Sequence, residues 1–462
     1  MFGTSITLGA LFSQAQHELF LFAAFFFLLG AADEWAMDAL YFLLRVTGRG
    51  RTRRIDEAAL SDQRLRGPAV VFIPAWCEER VIEATLRHAT SAWQHEELRI
   101  LVGCYVNDPA TLASVQQVAR EDQRVQAVVH SISGPTDKAD CLNRLYRALC
   151  EMETREGWSA RMVVMHDAED CVDPYALNLL DRAIDSAEFV QLPVMALPNS
   201  ASPLMAGHYS DEFAEAHAKT MVVRSHFGRG VPGAGVGCAI ARDVLTNLAD
   251  AQGGRPFAAG SLTEDYELGL NIAALGGRSI FMRARTKHGR LIATRAYFPS
   301  RIDAAVRQKT RWIHGVSLQS WDRLGWRGGI FGAWMCLRDR RGPFAAMLLA
   351  VAYGLILLSA LGFLARLAGV YDPPPLDPMV ATLLTVALAA LLWRLLLRVL
   401  FTTREYGWRQ GLLAILRTPV SNIIAIMAGR RAIAAYVRSL NGEAPRWDKT
   451  EHMDHPALSH PA

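Results

Sequence analysis

Two stretches limit what this chain can become. PFAAMLLAVAYGLILLSALGFLA (343 to 365) and PMVATLLTVALAALLWRLLL (378 to 397) have almost no internal charge, and each has the roughly twenty residues that cross a hydrocarbon core of about 30 Å as a helix. A helix satisfies its own backbone N–H and C=O groups, which lipid cannot do, so both are read as transmembrane. A third run, LFLFAAFFFLLGAA (19 to 32), is interrupted by Asp33, Glu34 and Asp38 before ALYFLLRV resumes. Residues 1 to 18 hold no Lys or Arg, whereas a signal peptide opens on a basic segment. A retained helix over 1–46 is expected, its acids packed against the other helices.

Lys and Arg beside the spans set orientation. RVTGRGRTRR (45 to 54) follows the first span, RDRR (338 to 341) precedes the second, and Arg398, Arg404 and Arg409 follow the third, while the connector AGVYDPPPLDP has none. Three spans with a cytoplasmic body and tail are therefore expected, the last two within 343–400. Residues 405–440 are apolar but broken by Arg417, Pro419 and Asn422, a pattern that predicts a pair of amphipathic helices on the cytoplasmic interface. Residues 441–462 form a polar cytoplasmic tail. The net charge of +4 mostly marks membrane flanks, and no basic, aromatic-rich stretch argues for nucleic acid. Seven scattered cysteines without a CxxC pair suit reduced thiols.

Between 66 and 330 the pattern changes. AVVFIPA (69 to 75), LRILVGCYV (98 to 106), VQAVVHSI (125 to 132), RMVVMHD (161 to 167) and EFVQLPV (188 to 194) read as strands, and 78–95, 110–120, 138–155 and 174–186 carry helical spacing. This alternation predicts an α/β domain with a mostly parallel sheet and helices on both faces. Ligands of such sheets sit beyond the carboxyl ends of the strands. There stand Glu78 and Glu79, then Asp108 in VNDP, then HDAED (166 to 170). Alone, each reads more readily as a helix cap or turn former. At one sheet edge they would repel unless a cation joined them, and hard cations such as Mg²⁺ or Mn²⁺ take oxygen ligands.

Further on, TDKADCLNRLYRAL (136 to 149) puts Lys138 at a helix start, against the macrodipole, a conflict that an anionic ligand would relieve. GSLTEDYELG (260 to 269) sets Glu264, Asp265 and Glu267 close together. RQKTRWIHGVSLQSW (307 to 321) places Gln308, Arg311 and Trp312 on one helical face. Arginine suits a diphosphate, and an indole face suits a sugar ring.

In order, VFIPAWCEE, VND, DKADCLN, DAED…DP, GAGVGCAIARDVL, LTEDYELG and QKTRW span residues 70 to 312, and the set resembles membrane-bound family 2 glycosyltransferases with a GT-A (Rossmann-like) catalytic domain. LTEDYELG and QKTRW are similar to the TED and QxxRW signatures of polysaccharide synthases. HDAEDCVDP, LTEDYELG and the tail PRWDKTEH (445 to 452) most resemble the bacteriophage adsorption protein B type of inner-membrane glycosyltransferase.

The resemblance implies roles. Asp265 is the general base and Glu264 its motif neighbour. Glu78, Asp108, Lys138 and Asp167 contact the nucleotide-sugar donor, while Gln308, Arg311 and Trp312 hold the diphosphate and the acceptor end. Asp167 and Glu169 fall on the DxD motif that binds Mg²⁺ or Mn²⁺; Glu169 stands where the family has aspartate, leaving Asp170 as a competitor, and Glu267 is expected solvated or capping. The implied activity is inverting hexosyl or N-acetylhexosaminyl transfer from a nucleotide sugar, UDP-linked by preference, to a glycan or lipid-linked acceptor. The implied setting is a bacterial inner membrane, multi-pass among membrane lipids, with the catalytic domain cytoplasmic and an outer-membrane or periplasmic export partner. The alternative is a non-catalytic scaffold or receptor component with a degenerate nucleotide-binding domain.

Overall fold

The computed structural model describes residues 8–61, 63–227, 230–370, 375–443, 452 and 454–459; tail residues 445–451 lie outside them. The body between residues 66 and 330 is built on a seven-stranded sheet: β1 (Ala69–Pro74), β2 (Leu98–Tyr105), β3 (Val125–His130), β4 (Met162–Met165), β5 (Phe189–Gln191), β6 (Cys238–Ala241) and β7 (Ser279–Phe281). Their order is β3-β2-β1-β4-β6-β5-β7. Every pairing is parallel except those of β6, which runs against β4 and β5. The expected strands are present with shorter ends, and β6 and β7 add two not foreseen. Because β6 is reversed, the loop that enters it lies at the edge where β1, β2 and β4 leave.

Side chains along a strand alternate between faces, and the core divides accordingly. Val71, Ile73, Ile100 and Val164 pack with Ile82, Leu86, Leu177 and Leu180 on one face. Val70, Phe72, Leu101 and Val163 meet Leu142, Leu145 and Leu149 of α2 (Lys138–Glu156, numbered after the N-terminal helix α1, Leu8–Val46) on the other. Strands buried on both faces read as unbroken apolar runs, the form AVVFIP takes.

Six further helices matter here: α3 (Glu264–Ala274), α4 (Ile302–Trp312), α5 (Gly329–Arg340), α6 (Gly342–Leu367), α7 (Pro378–Tyr406) and α8 (Trp408–Leu440). Four helices, Ser13–Val46 of α1 together with α6, α7 and α8, are long and apolar enough to cross a membrane, against three spans expected. The interfacial pair expected over 405–440 is a different object: one continuous helix, α8, with Pro419 inside it. In the first third of α8, Arg417 is only 1% exposed. It pairs with Asp211 at 2.9 Å and donates to the Pro203 carbonyl at 2.7 Å, both in the body that holds the sheet.

The acids of α1 are likewise spent on partners. Asp38 meets Lys219 at 2.7 Å, and Glu34 meets Arg338 at 2.9 Å and Arg394 at 3.1 Å. Asp33 accepts from the Trp334 indole at 2.6 Å and pairs with Arg338 and Arg341. This clasp joins α1, α5, α7 and the body that holds the sheet.

Candidate active site

A cavity of about 160 Å³ lies at the sheet edge. From the end of β1 the chain enters the loop carrying Glu78. Asp108 holds that loop: one carboxylate oxygen caps the helix Pro109–Glu121 at Thr111 N (3.3 Å), and the other accepts from Cys77 N at 2.6 Å. Its carboxylate is thereby used, and it does not line the cavity, unlike Glu78, Lys138, Asp167, Glu169, Glu264, Asp265, Gln308, Arg311 and Trp312.

Lys138 opens α2 and meets Asp167 at 2.5 Å and Glu264 at 3.8 Å. Carboxylates therefore relieve the dipole conflict noted above. The two acids of the DxD-like segment face different partners, since Glu169 meets His452 Nε2 at 3.1 Å. Asp170, the competitor, is buried and also lines the cavity; its Oδ2 accepts from Asp167 N (3.0 Å) and His166 Nδ1 (2.8 Å).

Thr263 stands at the N-cap of α3, and Glu264 and Asp265 occupy its first turn. One Asp265 oxygen accepts from Tyr266 N at 2.8 Å. Opposite the other lies Gly235, at φ +80°, where a Cβ would sit 2.7 Å from Asp265 Oδ2; only glycine meets both demands. Contrary to expectation, Glu267 is neither solvated nor a cap. It is buried, accepts from Ser261 Oγ at 2.7 Å and pairs with Arg323 at 2.8 Å, because its position on α3 turns it toward the helix after α4.

On α4, Gln308, Arg311 and Trp312 face the cavity while the intervening Lys309 pairs with Glu212 at 2.5 Å. Gln308 Oε1 is buried and meets no donor among the described residues. Trp312 stands edge-on to Tyr209 and Phe213, ring centres 6.0 and 6.4 Å away. Immediately after it the helix widens into a π-helical stretch, Ile313–Gln319, a feature frequent at functional sites.

Crowding of acids in a partly dry cleft has electrostatic consequences. Burial pushes the Glu169 carboxyl up to about 8, against the pull of His452. Burial likewise raises Glu264 to about 7 and raises Asp265, with Lys138 opposing both. Lys138 itself loses hydration, yet Asp167, Glu264 and Asp265 more than offset that and hold it above its ordinary value.

Sequence reasoning assigned no role to His452. It reaches Glu78 at 3.1 Å as well as Glu169, and one ligand atom from each of the three lies within 4.8 Å of the others. The only signal was the wording of the tail, whose place in space the sequence does not disclose.

The profile of the family described as glycosyltransferase-like family 2 matches residues 67–315. Bacteriophage adsorption protein B of Escherichia coli K12 is 31% identical over 467 aligned positions, covering 93% of this chain and 61% of its own length. Bacteriophage N4 adsorption protein B of Escherichia coli O157:H7 matches at the same values. The chain thus spans about three-fifths of these relatives (61%). Among solved structures, the mannosyltransferase PcManGT of Pyrobaculum calidifontis, in complex with GDP-Man and Mn²⁺, superposes with a TM-score of 0.51 at 16% identity, covering 88% of this chain and 99% of that one. At that identity the likeness shows the fold, GT-A.

Proposed function

The chain belongs to glycosyltransferase-like family 2, and from that premise we propose that it moves a sugar from a nucleoside-diphosphate donor, UDP-linked by preference, to a hydroxyl of a glycan or lipid-linked acceptor with inversion. The observation that carries this reading is the convergence of Asp265, Lys138, Arg311 and Trp312 on one cavity with Glu169 at its rim.

Asp265 takes the proton of the attacking hydroxyl, its carboxylate aimed by Tyr266 N and walled by Gly235. Arg311 and Lys138 supply positive charge beside the departing diphosphate. Trp312, fixed by its aromatic neighbours, gives the sugar a flat platform, and Gln308 Oε1 offers an acceptor to a hydroxyl. A divalent cation would fit the donor set: Glu78 and Glu169 would each offer an oxygen, the ligand type that Mg²⁺ and Mn²⁺ take, and His452 an imidazole nitrogen, with Asp167 a further oxygen once it leaves Lys138. When bound, such an ion neutralises charge on the diphosphate.

The arginines at both ends of the clasp support a cytoplasmic catalytic body. Arg417, docked into that body within the first third of α8, supports α8 lying along the interface, leaving α1, α6 and α7 to span. Export of the product through an envelope partner belongs to the same proposal.

The test is nucleotide release by membranes carrying the protein, scanned across UDP- and GDP-sugars with Mn²⁺ or Mg²⁺. Asp265→Asn should lower transfer by roughly 10²- to 10⁴-fold, the weight of one general base, while donor binding persists. Full activity in Asp265→Asn overturns the base assignment. Absence of release from every donor favours the non-catalytic alternative, whose sequence support is Glu169 in place of aspartate.

A further inference from the structure

A second cavity, of about 190 Å³, lies on another face of α3. Tyr266, Leu270 and Ala273, spaced to share a helix face, form one wall; Met335, Cys336 and Arg340 of α5 form another. The walls are mostly apolar, yet Arg340 among them is only 5% exposed. Its Nη2 donates to the Gly325 carbonyl, and its guanidinium carbon lies 5.0 and 4.7 Å from the ring centres of Trp321 and Trp326. Its Nε and Nη1 meet no acceptor among the described residues.

A cation taken out of water without an opposite charge is costly, and the carboxylate next to it in sequence does not serve. Asp339 is spent on Arg224 at 2.8 Å and on the Tyr266 hydroxyl at 2.7 Å. Arg327, with one nitrogen on Asn271 at 3.2 Å, adds a further positive charge at the wall. Arg340 and Arg327 thus bring positive charge to a mostly apolar wall, with no carboxylate paired to Arg340 among the described residues, and Arg340 stands two residues before the candidate span α6 begins at Gly342, the depth at which lipid phosphates lie if α6 crosses the bilayer.

We propose that this cavity is a binding site for a phosphate-bearing anion, with Arg340 as its charge partner, the anion coming from an anionic phospholipid headgroup or a soluble phosphate ester. Tyr266, which lines this cavity, follows Asp265 directly and is tied to Asp339, so an occupant would sit behind the helix that carries the proposed base.

The test uses the full chain in neutral detergent, titrated with inorganic phosphate and with short-chain phosphatidylglycerol, with phosphatidylcholine of equal chain length as reference, read by native mass spectrometry and calorimetry. Saturable binding of phosphate or phosphatidylglycerol is expected. Arg340→Gln should weaken it by about tenfold or more, the scale of losing a charge-assisted contact, and Arg409→Gln, at an exposed arginine elsewhere, should leave it unchanged. Leu270→Trp fills the cavity while keeping Arg340 and should abolish binding; it carries the test if Arg340→Gln does not fold. Phosphatidylglycerol alone identifies a lipid source, and phosphate identifies a soluble one. No saturable binding, equal binding of phosphatidylcholine, or unchanged affinity in both cavity variants overturns the proposal.

Discussion

Replacing Lys138 with Met removes the cation that meets Asp167 at 2.5 Å and Glu264 at 3.8 Å. Unit charges at the latter distance interact by about 4 kcal/mol at an effective dielectric of about 20. Water in the open cleft and relaxation of Glu264 reduce this, and about half of it corresponds to roughly 1.5 pK units at 1.36 kcal/mol per unit. The sign is fixed by chemistry: a cation favours ionised carboxylates, so its loss lets Glu264 and Asp265 rise beyond the elevation that burial already imposes. A base must be ionised to accept a proton. The acidic limb of kcat/KM should therefore move to higher pH by about 1 to 2 units, with Lys138→Arg moving it much less. The assay is nucleotide release against pH with the preferred donor. A raised KM with the acidic limb unmoved would refute the reasoning, and Lys138 would then serve donor binding alone.

Gly235→Ala should cut transfer severely while the chain still folds, since its Cβ collides with Asp265 Oδ2 at 2.7 Å and the left-handed backbone adds about 1–2 kcal/mol of strain; activity and thermal midpoint measured together separate the two. His452→Ala should weaken Mn²⁺ affinity by at least about tenfold, seen by electron paramagnetic resonance of bound Mn²⁺, with a smaller effect on Mg²⁺ because imidazole suits the softer ion. Arg417→Met leaves Asp211 buried without its partner and should cost about 3–5 kcal/mol, read as a lowered midpoint in detergent that Asp211→Asn partly restores.

Much of the body was legible because central parallel strands are apolar on both faces, as in AVVFIP and LRILVGCY. The short strands β5, β6 and β7 have three, four and three residues, too few for periodicity to mark β6 or β7. Residue types at the sheet edge announced the carboxylates, yet not how they divide. Asp108 became a cap, the bland reading of its position, and Glu267 found Arg323, 56 positions on and beyond α4. His452 meets Glu78 across 374 positions, a closeness that spacing alone cannot express. The length and apolarity of α8 are visible in sequence, but Arg417 looked like a break in a pattern; its buried partner Asp211 makes it a point of attachment.

The clasp on α1 also dictates an order of assembly. Asp38 is synthesised 181 residues before Lys219, and Asp33 is 308 residues ahead of Arg341. While the ribosome makes the catalytic domain, the first helix waits with three acids that have no counter-charge, and until then its insertion is provisional. Each later cation that arrives, first from the catalytic body and then from the arginines of α5 and α7, ratifies the one before. A nascent chain stopped before residue 338 should therefore hold Asp33 without its arginine partners Arg338 and Arg341, and its first helix should be extracted from the membrane more readily than that of the whole chain.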